Sequence, residues 1–185
     1  MIKKIIKIVD LTTENLKEIP EMEYPPYSCK YCLYWEFPKE HNKITFGAKR
    51  ERLNKKLKWL NDVNKIFGNC GKLVYLNNKV VGYAVYAPPK FLPNSKSYPS
   101  GPPDDDAILI ACLYVFKKEY RGLGIGQKLL RSILSELRDR HVKVVETFAR
   151  KSNAENPSGP VDFYIKKGFK IYKDDPEFPL MKLKL

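Results

Sequence analysis

The stretch YRGLGIGQKLLRSILSEL, Tyr120 to Leu137, decides how the chain is read. An arginine and three glycines stand within six residues, and an amphipathic helix follows at once. Leu129, Leu130, Ile133, Leu134 and Leu137 fall on one apolar stripe. Glycine lets the backbone turn tightly and leaves its N–H open to close approach, because no Cβ stands in front of it. The helix adds unpaired N–H groups and the positive end of its dipole. Gly122, Gly124 and Gly126, with Leu123 and Ile125 between them, therefore make a cradle for an anion, phosphate above all. Arg121 sets a fixed cation at its lip. A tight turn without a ligand is the plainer reading of the same glycines. The spacing is G-x-G-x-G rather than the dinucleotide G-x-G-x-x-G, and no G-x-x-x-x-G-K-[ST] occurs.

Upstream of the glycines, AILIACLYVF (Ala107–Phe116) is a continuous apolar run rich in β-branched and aromatic residues, which predicts a strand buried on both faces. Downstream, VKVVETFA (Val142–Ala149) predicts another. Strand, glycine turn, helix and strand form a crossover unit, so these two strands should be parallel. KLVYLNNKVVGYAVYAP (Lys72–Pro88) reads as a hairpin turning at Asn77-Asn78. IKKIIKIVDL reads as the first strand, followed by a short helix capped by Thr12 or Thr13. A helix is expected from about Ala48 to Phe67, with Leu53, Leu57, Leu60, Val63 or Asn64, and Phe67 facing inward and GNCG ending it. SGPVDFYIKKG predicts a short helix between Pro160 and Gly168, and FKIYKDD and LMKLKL two last strands. The fold class is α/β, with one mixed sheet of about seven strands flanked by helices, in a single domain over residues 1–185. PPKFLPNSKSYPSGPPDDD (Pro88–Asp106) is too polar and broken to be an element, and is expected to shape or cover a site.

The charge balance points the same way as the cradle. The 185 residues include 34 Lys and Arg against 21 Asp and Glu, a net charge of +13. Solubility is the plainer reading of that charge; beside it, the basic residues are scattered and no nucleic-acid-binding module is visible, which slightly favours a small phosphorylated ligand over nucleic acid. No run is long and apolar enough to cross a bilayer, so no membrane partner is expected. The opening MIKKIIKIVDLTTENL lacks the apolar block of a signal peptide. The expected location is the cytoplasm, with the four cysteines reduced.

LYVFKKEYRGLGIGQKLL, Leu113 to Leu130, resembles the acetyl-CoA motif of the GNAT N-acetyltransferase superfamily, [RQ]-x-x-G-x-[GA], with Arg121, Gly124 and Gly126 filling its fixed positions. FYIKKGF, Phe163 to Phe169, resembles the same family's later signature, and the order of elements is similar over nearly the whole chain. The resemblance implies a GNAT fold that transfers acetyl from acetyl-CoA to the primary amine of a small molecule or peptide. It implies that the pyrophosphate sits on the backbone N–H groups of Arg121 to Gly126. The strand ending at Leu113, Tyr114 and Val115 would splay from the next one and bond the pantetheine arm as an added strand. Residues from about 107 to 170 would form the coenzyme side and the N-terminal half the acceptor side. A backbone N–H near Leu113 or Tyr114 would serve the oxyanion. Tyr164, four residues before the Gly-Phe pair, matches the family's acid for the leaving thiolate; a packing aromatic is the plainer reading. Asn153 and Asn156 both stand near the position of an asparagine such proteins carry, and neither is assigned.

Amine acetylation needs the amine neutral, so a base is sought. Glu146, in a strand that otherwise reads as buried, is the first candidate; a sheet-end carboxylate paired with Lys or Arg is the alternative. Asp104 to Asp106 form a second carboxylate cluster, otherwise a solvated loop, and Glu36 is a third option, with Tyr34 and Trp35 beside it for cation–π contact. Cys29 and Cys32 have metal-ligand spacing and Cys70 would be a third ligand, but small buried thiols explain them better. Cys112 as an acetyl-carrying nucleophile ranks below direct transfer. His41 and His141 flank loops and are expected to be exposed. Two rival functions stand beside the transferase: an acyl-CoA sensor without turnover, and a metal-binding or redox interaction protein built on the cysteines. Oligomeric state is not legible, a homodimer being the commonest symmetric option.

Overall fold

The computed structural model describes residues 5–22, 28–41, 48–152 and 156–185. The apolar runs become seven strands: β1 (Ile6–Asp10), β2 (Gly71–Leu76), β3 (Lys79–Ala87), β4 (Ile108–Val115), β5 (Val144–Phe148), β6 (Lys170–Lys173) and β7 (Leu180–Lys184). They form one sheet in the order β1-β2-β3-β4-β5-β7-β6. Among the named strand pairs, β4 with β5 is parallel and the others are antiparallel. That parallel pair is joined by the helix after the glycines, α3 (Ile125–Asp139), as a crossover requires. The other helices are α1 (Pro38–His41), α2 (Ala48–Ile66) and α4 (Val161–Ile165). Asn77 and Asn78 hold φ of 48° and 64°, the left-handed pair that a two-residue hairpin turn demands. Among the described residues, no helix is long and apolar enough to cross a membrane.

Alternation along the strands sorts the core into two layers. Leu73, Tyr83, Val85 and Leu109 face α2, packing with Trp59, Leu60 and Val63. Val74, Ala84, Tyr86, Ile108 and Ile110 face α3, packing with Leu129, Leu130, Ile133 and Leu137. One bulge breaks the alternation in β4. Cys112 pairs with Val85 and Ile110 with Tyr86, which leaves Ala111 without a partner. As a result Ala111 and Cys112 both pack in the α2 layer, and Leu113 is turned to the α3 layer. Pairing of β4 with β5 stops at the same place, at Ile110 opposite Thr147.

Two expectations change. The helix at Ala48 forms with the expected length, but its buried face is Arg52, Lys56, Trp59, Leu60 and Val63, while Leu53 and Leu57 are half-buried. A partner on another segment causes this rotation. Lys56 Nζ is hydrogen-bonded to the Glu36 carboxylate and to the Cys32 carbonyl at 3.0 Å, so the helix buries a cation that local periodicity assigns to solvent. The Pro-rich segment is not featureless: it contains 3-10 turns at Pro89–Phe91 and Pro93–Ser97, and buries Leu92 and Ser95 completely.

Candidate functional site

The chain enters α3 through Gly122 and Gly124, both at φ +75°, a conformation L side chains rarely adopt. Nothing lies within 4 Å of the point where a Cβ would stand at either residue. No side chain caps the first turn of α3. The backbone amides there face a cavity of about 470 Å³, with Leu113, Tyr114 and Val115 on one wall and Arg121, Gly122, Gly124, Ile125 and Gly126 on the other. Lys166 and Lys167, following α4, close one end and add positive charge. The Arg121 guanidinium lies over the Tyr114 ring, 5.6 Å from its centroid, and its Nε donates to the Val115 carbonyl at 3.4 Å. Of the residues expected here, Leu123 alone lines no cavity; its side chain is exposed.

Beyond the bulge, the free edge of β4 is not bare. Asn156 to Gly159 lies in the gap left by β5, and the Leu113 N–H donates to the Pro157 carbonyl at 2.8 Å. The amide expected to serve an oxyanion is thus occupied in this state. Tyr164 lies beneath the same segment and is fully buried. A Cβ on Gly159 would stand 3.2 Å from its Cε2 and 3.4 Å from its Oη, so glycine there is demanded by the tyrosine as well as by its φ of +76°. The Tyr164 hydroxyl has no hydrogen-bond partner among the described residues. Burial raises its pKa and the Thr147 side chain nearby works against that rise, so the hydroxyl holds its proton across the neutral range.

A second cavity, of about 450 Å³, opens in the α2 layer. Tyr34, Trp35, Tyr98 and Phe178 supply its aromatic walls, with Cys32, Cys112, His41 and Ser97 between them. Trp35 and Tyr98 stack at 5.4 Å and 11°, and Tyr98 stacks on Phe148 at 4.2 Å. The Pro-rich segment therefore does shape a cavity, through Ser97, Tyr98 and Pro99. The two cavities share Asn156; Tyr164 lines neither of them and packs against Gly159, on the wall of the first. Asn153 falls outside the described residues.

The carboxylates expected as bases stand elsewhere. Glu146 lines neither cavity. It is fully buried, ion-paired with Lys182 at 2.9 Å, and accepts from the Asp104 N–H at 3.0 Å. Burial raises its pKa, and Lys182 and the Asp104 amide work against that rise. Asp104 is bonded to Lys182, and Asp105 and Asp106 are exposed. Glu36 lies behind the aromatic wall, paired with Lys56. The geometry of the sheet-end carboxylate fits Glu146, and that of a buried ion pair fits Glu36.

The thiols are free; Cys29, Cys70 and Cys112 are buried and Cys32 is half-buried. Burial pushes Cys70 and Cys112 up to about 12, far from a reactive thiolate. Among the described residues, no three His, Cys, Asp or Glu side chains gather as a metal site would. His41, expected at the surface, lines the aromatic cavity, half-buried, with Arg52 Nη2 3.4 Å from its Nδ1. His141 is exposed, as expected. Sequence reasoning missed Tyr120, Gln127, Phe163, Lys166 and Lys167 on the first cavity and Phe178 on the second. Only Phe163 and the two lysines carried a signal, in the aromatic pair and the KKG end of the later signature.

The fold recurs in known proteins. The sequence model described as the acetyltransferase (GNAT) family matches residues 20–169. No curated protein sequence matches the chain significantly. Among solved structures, the PaiA N-acetyltransferase from Thermoplasma acidophilum in complex with coenzyme A superposes with a TM-score of 0.58 at 17% identity, covering 97% of this chain and 99% of that one. An N-acetyltransferase from Staphylococcus aureus Mu50 gives 0.59 at 17% identity, covering 97% and 98%. A ribosomal-protein-alanine N-acetyltransferase from Brucella melitensis gives 0.58 at 20% identity, covering 97% and 99%.

Proposed function

The chain belongs to the GNAT acetyltransferase family, and from that premise we propose that it moves an acetyl group from acetyl-CoA onto a primary amine held in the aromatic cavity. Acetyl-CoA, when bound, supplies the activated acyl group. The glycine-lined cavity fits such a ligand: two glycines with no obstruction above them, the open amides of α3, and the cations of Arg121, Lys166 and Lys167 suit phosphate groups. Leu113, Tyr114 and Val115 would hold the arm along the edge of β4, once the Pro157 carbonyl yields the Leu113 amide. The aromatic cavity, across the sheet, would hold the acceptor.

The observation that carries the reading is the Tyr164 hydroxyl. A buried phenol without a partner costs free energy unless something bonds to it. It lines neither cavity but packs against Gly159 on the wall of the coenzyme cavity, and its raised pKa keeps a proton on it. The transfer forms one amide bond and breaks one thioester bond; the proton shed by the amine ends on the thiol. Tyr164 would give its proton to the leaving sulfur and regain one from the amine side. Glu146, bonded to Lys182 and to the Asp104 N–H, would instead fix the Asp104 segment to the sheet.

The test is a thiol-release assay with acetyl-CoA and a panel of amines. Tyr164→Phe should lower kcat by about 100-fold or more, while acetyl-CoA raises the melting temperature as in the wild type. Unchanged turnover would remove the acid from Tyr164. Coenzyme binding without transfer to any amine would favour the sensor.

A further inference from the structure

Resting on the reading above, we propose that the turn Asn156–Ser158 is a built-in stand-in for the coenzyme arm: its Pro157 carbonyl holds the Leu113 amide and gives it up when the arm takes its place. Three observations carry this. The first is competition for one donor. Pairing of β4 with β5 ends at Ile110 opposite Thr147, so Leu113 lies beyond that ladder. Its N–H donates to the Pro157 carbonyl at 2.8 Å. Leu113 is buried, and a buried N–H left without an acceptor is costly. Leu113 also lines the coenzyme cavity. An arm laid along this edge as an added strand needs the donor that Pro157 holds. The amide and thioester carbonyls of such an arm are acceptors of the same kind as the Pro157 carbonyl, so one can replace the other.

The second observation is unequal anchoring. On the C-terminal side of the turn, the Gly159 carbonyl accepts from the Arg150 N–H at 2.8 Å, and the Arg150 carbonyl accepts from the Val161 N–H at 3.1 Å. These bonds make a short parallel bridge between Arg150 and Pro160. Pro157 has no N–H to give. Among the described residues, the bond from Leu113 is the only backbone bond to Pro157. Between the pinned end and the hanging end stands Gly159, at φ +76°, where glycine turns freely. That is the arrangement of a hinge.

The third observation is how little the release disturbs. The Ser158 N–H donates to the Asn156 side-chain Oδ1 at 2.8 Å, and the Gly159 N–H to the Asn156 carbonyl at 3.0 Å. Both bonds lie within the turn and travel with it. Exchange of the stand-in for the arm therefore trades one backbone bond for another. The device has a use: it keeps the edge of β4 from offering a bare N–H to a passing strand. It also reserves that edge for ligands that carry an arm.

Two probes separate the arm from the phosphates: coenzyme A, and adenosine 3′,5′-bisphosphate, which keeps the nucleotide and lacks the arm. In isotopically labelled protein, the scalar coupling across the hydrogen bond from the Leu113 nitrogen to the Pro157 carbonyl carbon reads the contact directly. It should be present in the protein alone and with the bisphosphate, and vanish with coenzyme A. Pro157→Gly keeps a carbonyl at this position and gives the released turn more freedom. It should tighten coenzyme A binding about two- to fivefold and leave the bisphosphate unchanged, by calorimetry. Pro157 lines the acceptor cavity and not the coenzyme cavity, so a lost side-chain contact does not confuse the comparison. A coupling that survives saturating coenzyme A would overturn the stand-in and leave the transfer reading to its own assay. So would a coenzyme A affinity that Pro157→Gly leaves unchanged or weakens. Failure of coenzyme A to bind at all would overturn the transfer reading, and the stand-in with it.

Discussion

On the α3 side of the sheet, the candidate site is made of backbone: amides at the start of a helix, two left-handed glycines, and the edge of β4 beyond its pairing with β5. On the α2 side it is made of side chains that come from distant parts of the chain, at Tyr34, Tyr98, Cys112 and Phe178. The two sides also differ in how they are supported. The α3 layer rests on an apolar helical stripe. Beneath the α2 layer lies an ion pair, Lys56 with Glu36, whose side chains keep only 4% and 1% of their exposure. A coenzyme presents the same phosphates whatever the acceptor, so a backbone cradle serves it; an acceptor differs from enzyme to enzyme, and side chains can follow it.

Four measurements would break or sharpen that contrast. The largest effect should come from the buried pair. Lys56→Met alone leaves the Glu36 carboxylate buried without its partner and should cost about 3–5 kcal/mol in urea denaturation. Adding Glu36→Leu should recover much of the loss. If the single variant is neutral, the α2 side does not depend on the pair. Next, at a concentration one hundred times its dissociation constant, acetyl-CoA should stabilise the wild type by about 2.7 kcal/mol. A Gly124→Glu, Gly126→Glu variant should show no such gain; an undiminished melting shift would mean that the glycines are only a turn.

A smaller effect is expected at the border. Gly159→Ala forces a side chain into a left-handed position and against the Tyr164 ring, at about 1–2 kcal/mol, and should lower the melting temperature and turnover together. The smallest effect is a slope. His41 has its pKa lowered from 6.5 on folding, chiefly by burial. The unfolded chain therefore takes up a proton at a pH where the folded chain does not, and stability is lost as pH falls below about 6.5 towards the lower folded value. His41→Asn should remove that slope; an unchanged pH profile of unfolding would place His41 in contact with solvent.

The same contrast explains what could be read from the sequence. Glycine spacing, a β-rich run on each side and an amphipathic stripe are local signals, and each produced the element expected of it, β4, α3 and β5. The hairpin at Asn77-Asn78 was legible for the same reason. The aromatic cavity was not, because Trp35, Tyr98 and Phe178 are separated by tens of residues and meet only when loops fold over the sheet. Buried Lys56 and Arg52 escaped the periodicity reading because their partners lie outside α2, at Glu36 and at the carbonyls of Tyr31 and Glu40. Glu146 was noticed because a carboxylate in an apolar strand is conspicuous, but only the fold shows that Lys182 answers it.

The unpaired residue in β4 has one more consequence, and it concerns traffic. Ala111 shifts the phase of the strand, so that Cys112 looks into one chamber and its neighbour Leu113 into the other. The two faces of the sheet thus come together where β5 turns away, at Asn156, which lines both chambers. Two reactants that arrive from opposite sides of a wall do not queue behind each other. On the proposed function, either product would depart first by the way it came, and no bulky acceptor would need to pass the coenzyme.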